Sequence, residues 1–291
     1  MDKLTVKAYG KLNLYLDITG TREDGYHLLR SVMQSVSVYD TLRFEIVPGE
    51  GTELICGTEG FPLDSRNLIW KAADLFYKEL GISPRGRLVV TVDKQIPSMA
   101  GMAGGSANCA ATLTALNILY GNPLDSEKIR VLGAELGADV PFTLFGGTML
   151  CEGVGEKLTK LSDVKDICFA VVRPDLCIST PAAYKAYDSC PPIRKKSYAA
   201  FSEALALGDP QQISNGMFNA LESAVNDPVI AEVKEKLIAG GALGALMTGS
   251  GSAVFGVFNN RTDARLCIDC MTGYPFAQVL DPVPCGLEIL R

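Results

Sequence analysis

A run of small and flexible residues at positions 98–105, between a strand and a helix, limits the folds open to this 291-residue chain. Ahead of it, residues 87–93 alternate apolar and polar side chains, as a half-buried strand does. Behind it, small and apolar side chains recur at helical spacing from Ala107 to Leu119. Free N–H groups and the dipole at a helix start favour an anion, so the segment predicts a phosphate cradle. We call residues 97–105 the cradle loop.

The cradle loop alone does not identify a ligand. Gly101, Gly104 and Gly105 allow positive φ angles and close approach of a ligand to the backbone. No lysine precedes Ser106, so the common lysine-containing phosphate loop is absent from the sequence, as is the dinucleotide-binding Gly-x-Gly-x-x-Gly pattern. A glycine-rich loop before a helix is more often a tight connection than a ligand site. This loop is longer than such a connection needs, which favours a function.

The charge of the chain argues against nucleic acid as a partner. Lysine and arginine number 27 against 33 aspartate and glutamate residues, for a net charge of −6, and no dense basic stripe is present. No apolar run reaches the ~20 residues that span a bilayer. The first residues form a polar lead into a strand and do not resemble a secretory signal. We therefore expect a cytoplasmic protein that binds neither nucleic acid nor a membrane.

Apolar patterning predicts an α+β protein of two domains, residues 1–160 and 161–291. The predicted strands cover residues 4–9, 12–18, 31–38, 41–47, 87–93, 146–151, 166–173, 243–247, 252–258 and 277–281. The predicted helices cover residues 67–80, 106–119, 126–136 with Asp125 as its cap, 181–187, 198–207, 216–225, 228–239 and 262–271. Asp227 followed by Pro228 is the strongest helix start.

Three further segments carry candidate functional side chains. Lys11 and Asn13 share one face of a strand and could hold a phosphate and a hydroxyl, although a lone strand lysine is usually a solvated edge residue. His27, the one histidine of the chain, follows Tyr26 in a turn, where such a pair is ordinarily a hairpin tip. Asp139 lies between a helix end and a proline, a place more typical of a turn or cap residue than of a catalytic one.

Together these segments resemble the GHMP small-molecule kinases. The shared features are a Lys-Leu-Asn strand at 11–13, the loop at 97–106, Gly-Ala-Asp-Val-Pro at 137–141 and Gly-Ser-Gly-Ser at 249–252. Within that family, residues 8–29 resemble the branch that acts on a methylerythritol joined to cytidine diphosphate, in the non-mevalonate isoprenoid route. The resemblance covers residues 6–258, which is nearly the whole chain.

The resemblance implies a fold and a reaction. The implied N-terminal domain is similar to ribosomal protein S5 domain 2, and the implied C-terminal domain is ferredoxin-like, with the site between them. The implied reaction transfers the γ-phosphoryl group of ATP to the substrate's 2-hydroxyl, with Mg²⁺ accompanying ATP. Such transfer depends mainly on alignment and charge stabilisation.

The resemblance also assigns site residues. Asp139 is implied to be the catalytic residue that accepts the proton of the substrate hydroxyl or orients that hydroxyl, and Lys11 the catalytic lysine that keeps Asp139 ionised. The implied ATP contacts are Asn67, Leu68, Lys94, Pro97, Ser98, Met99, Ala100, Gly101, Met102, Ala103, Gly104, Gly105, Ser106 and Ala107. The implied substrate contacts are Asn13, Tyr26, His27, Thr180, Pro181 and Tyr184, where Tyr26 and Tyr184 sandwich the cytosine and His27 reads its edge.

The cradle segment departs from the family pattern at three positions. Met99, Ala103 and Ala107 stand where the branch commonly has Gly, Gly and Ser. A non-glycine residue pays about 1–2 kcal/mol in the left-handed region. The sequence therefore predicts either ordinary backbone angles at Met99 and Ala103 or weakened nucleotide binding.

Two alternative functions follow from the same residues. Another GHMP kinase, such as a homoserine or mevalonate kinase, has no cytidine to stack, and Tyr26 with His27 argues against it. A catalytically inactive nucleotide-binding regulator would not need both Lys11 and Asp139. An ATP turnover assay with the cytidyl substrate separates all three functions.

Overall fold

The computed structural model describes residues 2–192 and 195–290. Its first half contains, in chain order, β1 (Lys3–Thr21), β2 (His27–Val47), β3 (Thr52–Cys56), α1 (Leu68–Leu80), β4 (Arg87–Asp93), α2 (Gly104–Leu119), α3 (Ser126–Leu136), α4 (Val140–Phe145), β5 (Thr148–Gly153) and β6 (Lys157–Lys160). Its second half contains β7 (Cys168–Arg173), α5 (Thr180–Ser189), α6 (Tyr198–Leu207), α7 (Pro210–Gly216), β8 (Phe218–Asn219), α8 (Ala220–Val225), α9 (Pro228–Ala239), β9 (Gly244–Met247), β10 (Val254–Phe258), α10 (Arg261–Asp269), β11 (Phe276–Leu280) and β12 (Leu287–Leu290).

The first half forms a larger sheet with helices packed on it. Its main path runs β12-β1-β2-β4-β3, and β5 and β6 extend it from β2. The central strand β1 places Leu12 and Leu14 in the core, where both are fully buried. Helices α1 and α2 contact each other, and α2 also packs on β1. The cradle loop therefore lies where α2 meets the middle of this sheet.

The strands β1 and β2 are continuous where the sequence predicted breaks near residues 10 and 39. They pair antiparallel from one end to the other, with register shifts between Tyr9 and Gly10 and between Asn13 and Tyr15. Such irregularities bend a strand and re-aim its side chains without ending it. The interruption of the apolar pattern therefore marks a bulged strand that carries polar residues into the protein.

The second half forms a smaller antiparallel sheet in the order β11-β7-β10-β9. Counted along the chain, its strands lie in the order 4-1-3-2, with α5–α9 in the first connection and α10 in the last. This is the ferredoxin-like arrangement. The predicted α+β class and the ferredoxin-like C-terminal part are confirmed.

Two late elements return to the larger sheet. The short strand β8 pairs parallel with β1, and β12 pairs antiparallel with the beginning of β1. The two halves of the chain are thus joined through β1. The boundary between residues 160 and 161 stays a prediction.

Most predicted helices are confirmed, and their ends follow from capping. Helices α6 and α9 have the predicted bounds, and α1 ends at Gly81 in the left-handed conformation with φ 62°. The predicted helix at residues 216–225 is wrong. Helix α7 ends at Gly216, the chain is extended through β8, and α8 begins after Asn219, whose side chain caps it. Pairing with β1 outweighs local helix propensity there.

Several short elements gave no sufficient sequence signal. Strands β3, β6 and β12 and helix α4 have 4–6 residues each, too few for a clear period. Among the described residues, no helix combines the length and apolar character needed to cross a bilayer.

Candidate active site

Lys11 is a buried lysine surrounded by polar partners. Its Nζ lies 2.5 Å from Asn13 Oδ1 and 3.7 Å from Asp139 Oδ2, and only 4% of its side chain is exposed. Asn13 donates through Nδ2 to the Ser31 hydroxyl at 2.8 Å and through its backbone N–H to Thr248 Oγ1 at 2.9 Å. Lys11 and Asn13 therefore lie together in a polar cluster, and Lys11 is not a solvated edge residue.

Asp139 occupies the N-cap position of α4, yet its side chain makes no capping hydrogen bond. Pro141 in the first turn is tolerated because an N–H there would have no helical partner. The carboxylate instead faces Lys11, and 31% of the side chain is exposed. The site thus presents a carboxylate at a cleft, with a buried cation behind it.

The cradle loop is held between β1 and the late glycine loop, which we define as residues 248–251. The backbone N–H of Lys11 donates to the Met102 carbonyl at 3.1 Å. A Cβ on Gly101 would overlap the Thr248 carbonyl oxygen, so only glycine permits this close approach. Both halves of the chain therefore fix the position of the loop.

Helix α2 begins at Gly104 with no side-chain cap, because its N-cap residue is Ala103. The first N–H groups of this 16-residue helix are therefore left for another acceptor, which suits an anion. Ser106 Oγ lies 3.9 Å from where a Cβ on Gly137 would be. The first turn of α2 thus faces the segment that carries Asp139.

The backbone at the unusual loop positions is left-handed. Met99 has φ 53° and Ala103 has φ 58°. Of the two alternatives, ordinary backbone angles at Met99 and Ala103 are therefore excluded, and the effect on nucleotide binding stays a prediction. The loop adopts the shape that glycine takes most easily, at about 1–2 kcal/mol per non-glycine residue. Ala107 is fully buried in the core, away from solvent.

Lys94 lies beneath the start of α2. Its Nζ is 2.8 Å from Asp40 Oδ2 and donates to the Ile96 carbonyl at 2.5 Å. Asp40 Oδ1 accepts the N–H groups of Gln95 and Ile96, both at 2.8 Å, and its side chain has no exposed surface. A Cβ on Gly104 would lie 2.8 Å from Lys94 Nζ. This buried pair supports the entry to the cradle loop, and both charges are already partnered.

Asn67 and Leu68 also lie beside the cradle loop. Asn67 accepts from the Ile69 N–H at 3.0 Å as the cap of α1 and donates to the Pro62 carbonyl at 2.7 Å. Leu68 Cδ1 is 3.7 Å from where a Cβ on Gly105 would be. Leu68 thus offers an apolar surface next to the loop, whereas both polar atoms of Asn67 serve the local fold.

The other side of the cradle loop faces the smaller sheet. Pro97, Ser98 and Lys94 line a cavity of about 280 Å³ together with Arg173 of β7 and Phe276 of β11. Ser98 is exposed and therefore accessible to a ligand from this cavity. Of the predicted ATP contacts, Lys94, Pro97 and Ser98 thus lie where the loop faces the smaller sheet, whereas the side chains of Ala100, Met102 and Ala107 are buried in the core.

The predicted base-binding residues are only partly brought together. The rings of His27 and Tyr184 stack at a centroid distance of 4.8 Å and an interplanar angle of 26°. Tyr26 is 65% exposed, so the predicted pair of Tyr26 and Tyr184 does not form a closed sandwich in this structure. The His27 ring instead covers one face of Tyr184.

The helix that carries Tyr184 is tied to the late glycine loop. The hydroxyls of Thr180 and Ser250 are 3.0 Å apart, and Pro181 occupies the first turn of α5. Burial raises the pKa of the Tyr184 hydroxyl to about 12, and the negative charge of Asp139 adds to the rise. A Cβ on Gly249 would lie 3.3 Å from Lys11 Nζ, so the late glycine loop contacts both the start of α5 and the Lys11 cluster.

Several residues that build this site were not predicted from the sequence. Thr248 links to Asn13 through its hydroxyl, and Asn219 donates to the carbonyls of Met247 and Gly249 at 2.7 and 2.8 Å. Asn219 could have been found as a helix cap by its residue type. Its contact with the late glycine loop depends on β8 and has no local signal.

Comparison with known proteins agrees with this arrangement. The family model described as GHMP kinases N terminal domain matches residues 67–147, and the model described as GHMP kinases C terminal matches residues 200–275. The first match contains the cradle loop and Asp139. The chain belongs to the GHMP kinase family, and it is an ATP-dependent small-molecule kinase.

Two relatives indicate which branch of the GHMP kinase family this chain resembles. The chain is 39% identical over 270 residues to a 4-diphosphocytidyl-2-C-methyl-D-erythritol kinase of Clostridium botulinum, covering 92% of this chain and 95% of the relative. A crystal structure of 4-(cytidine 5'-diphospho)-2C-methyl-D-erythritol kinase matches with TM-score 0.78 and 32% identity, over 96% of this chain and 100% of that one.

A homoserine kinase from Cytophaga hutchinsonii matches equally well in shape but far less in sequence. Its TM-score is 0.79 at 18% identity, over 100% of this chain and 98% of that one. This second structure therefore shows a shared fold alone.

Proposed function

We propose that the protein transfers the γ-phosphoryl group of ATP to the 2-hydroxyl of 4-diphosphocytidyl-2-C-methyl-D-erythritol. The proposal rests on one juxtaposition. The uncapped first turn of α2, at Ser106, faces Gly137. Asp139 follows Gly137 by two residues, and its carboxylate lies 3.7 Å from the buried Lys11. A phosphoryl donor in the cradle would thus have its terminal phosphate beside a carboxylate that can handle a hydroxyl.

The chemistry follows from these groups. The substrate's 2-hydroxyl oxygen attacks the γ-phosphorus, a new oxygen–phosphorus bond forms, and the bond to the bridging oxygen breaks as ADP leaves. Asp139 orients the hydroxyl and receives its proton, as a positioned general base does. Lys11 pairs with the carboxylate at 3.7 Å and balances the negative charge of the phosphates. The N–H groups at the start of α2 hold the phosphates.

Mg²⁺ fits this proposal as a companion of ATP. Among the described residues, no group of three or more His, Cys, Asp or Glu side chains is placed to hold a metal ion. Mg²⁺ in such sites takes few protein ligands and binds mainly through the nucleotide phosphates and water. Ser106 offers a hydroxyl beside the cradle for this purpose. When bound, Mg²⁺ neutralises charge on the phosphates.

We also retain a cytoplasmic location of the protein as a prediction.

The other end of the cleft supports a pyrimidine-bearing substrate. His27 and Tyr184 form an aromatic wall there, Tyr26 is free to cover a bound ring, and Asp139 lies close enough to influence Tyr184. We propose that cytosine binds at this wall and that the methylerythritol extends toward Asn13 and Asp139. The diphosphate would cross the late glycine loop near Thr180.

The test is an ADP-release assay of the full chain with Mg²⁺-ATP and three acceptors. We expect turnover with 4-diphosphocytidyl-2-C-methyl-D-erythritol and none above background with homoserine or R-mevalonate. Turnover with either of the last two would assign a different kinase activity. Nucleotide binding without turnover of any acceptor would favour an inactive regulator.

A further inference from the structure

The imidazole of His27 is held by one face of helix α5. Its ring stacks on Tyr184 at 4.8 Å and meets Tyr187 edge-on at 6.1 Å with an interplanar angle of 90°. Its Nε2 is 2.7 Å from Asp188 Oδ1. Residues 184, 187 and 188 are spaced i, i+3 and i+4, so they share one side of the helix. Three contacts thus fix both the plane and the rotation of the ring.

The contact with Asp188 determines which ring nitrogen carries hydrogen. An ionised carboxylate only accepts hydrogen bonds, so the hydrogen of a neutral His27 resides on Nε2. The partner of one ring nitrogen sets the state of the other. Nδ1 is then left with a lone pair. Among residues 2–192 and 195–290, no side chain or backbone group is hydrogen-bonded to Nδ1.

We propose that Asp188 is a positioning residue that sets base specificity through His27. A lone pair on Nδ1 accepts a hydrogen bond from the exocyclic amino group of cytosine. It repels the carbonyl oxygen that uracil has at the same position, because both are acceptors. Asp188 itself, with 58% of its side chain exposed, need not touch the base. This inference rests on the proposed function, because it assumes that a pyrimidine binds at the His27–Tyr184 wall.

The simpler alternative is a surface ion pair without functional effect. Exposed pairs typically contribute little to stability. Asp188 differs from such pairs because its partner ring is only 13% exposed and is packed on two tyrosines. An effect on base choice, with stability unchanged, separates the two roles.

The binding test uses calorimetric titration of the full chain with CDP and with UDP. The variants are Asp188→Ala, Asp188→Glu as the conservative rescue, and Glu203→Gln as a control. Glu203 is an exposed acid on α6, so the control changes the charge by the same amount elsewhere. We expect the CDP-to-UDP affinity ratio to fall about tenfold in Asp188→Ala, within the range of one base-edge contact. The ratio should recover in Asp188→Glu and stay unchanged in Glu203→Gln.

A ligand-free measurement checks the tautomer itself. Since the chain has one histidine, a long-range ¹H–¹⁵N spectrum of labelled protein shows only His27 ring signals in this region. Under conditions where the ring is neutral, we expect hydrogen on Nε2 alone in the wild type. Asp188→Ala should give averaged signals from both tautomers, with an unchanged melting temperature.

The outcomes separate the inference from the function beneath it. If wild-type protein prefers CDP and Asp188→Ala keeps the same ratio, the role of Asp188 is refuted and the cytidyl substrate stands. Hydrogen on Nδ1 in the wild type refutes it as well. If wild-type protein binds CDP and UDP equally, both the specificity role and the cytidyl assignment fail.

Discussion

The Nζ of Lys11 lies 3.7 Å from the Oδ2 of Asp139, with the lysine buried and the carboxylate at the cleft. The two residues come from a bulged strand and from the turn before α4, 128 positions apart in the chain. Asp139 forgoes the capping bond that its position would allow. The pair is therefore arranged for a task other than ending or starting a helix.

Asp139→Asn should reduce kcat by about 10²–10⁴-fold, because the amide keeps the shape but cannot take the hydroxyl proton. ATP affinity should be retained, since the cradle loop is untouched. Adding Lys11→Met should lower kcat little further, because the two residues act as a unit. Stopped-assay kinetics with a nucleotide-binding titration measure both effects. Asp163→Asn, an exposed acid paired with Lys160, is the control. Wild-type kcat in Asp139→Asn would exclude this role.

Ser106→Ala and Gly104→Val should raise the KM for ATP more than the KM for the cytidyl substrate. Ser106 would lose one hydrogen bond to a charged phosphate, about 1.5–3 kcal/mol or roughly tenfold and more in affinity. A side chain on Gly104 would press on Lys94 Nζ and Ile96. The matched control is Ser126→Ala, a serine in the first turn of α3. Equal KM values for ATP in wild type and both variants would show that the loop does not bind nucleotide.

Met99→Gly and Ala103→Gly should stabilise the protein and leave the KM for ATP nearly unchanged. The left-handed backbone is already in place, so glycine relieves about 1–2 kcal/mol while adding about 0.4–1 kcal/mol of unfolded-state entropy. We expect a net gain of about 0–1.6 kcal/mol per variant, measured by denaturant unfolding. Ala100→Gly, at a buried loop position without positive φ, should destabilise. A large gain in ATP affinity would show instead that the wild-type loop has the wrong shape for the nucleotide.

Asp40→Asn should destabilise the protein by about 3 kcal/mol, because it leaves the buried Lys94 without its counter-charge. The double variant with Lys94→Met should lose less than the sum of the single variants, since neither charge is then left alone. Denaturant unfolding gives these values, and the KM for ATP should rise together with the loss. Lys3→Met, which breaks an exposed pair with Glu45, should cost below about 1 kcal/mol. Additive losses at the buried pair would contradict the coupling.

Sequence patterns predicted the parts of the fold that depend on local chemistry. Helix α9 begins after Asp227 and at Pro228 as expected, because cap and first-turn residues act locally. The helix predicted at residues 216–225 was wrong, because pairing with β1 imposes the extended conformation of β8. The bulges in β1 were likewise interpreted as breaks, because pairing with β2 keeps the strand continuous and no local pattern shows this pairing.

One part of the site, the pair of Lys11 and Asn13, was predictable from residue spacing on a strand. A lysine and an asparagine two apart on a strand indicated a shared face, and the structure has it. The buried pair of Asp40 and Lys94 joins residues that are 54 positions apart in the chain. The hydrogen bond from Asn219 to Gly249 spans 30 positions and likewise joins different elements. Such contacts follow from the packing of elements, and no local pattern encodes them.

The most direct test of the account is identification of the reaction product by NMR. The 291-residue chain is incubated with Mg²⁺-ATP and 4-diphosphocytidyl-2-C-methyl-D-erythritol, and ³¹P and ¹³C spectra are recorded. We predict ADP, an intact diphosphate bridge, and one new phosphomonoester whose phosphorus couples to carbon 2, the carbon that bears the methyl group. Phosphate on another hydroxyl, or release of inorganic phosphate with the acceptor unchanged, would contradict the proposed transfer.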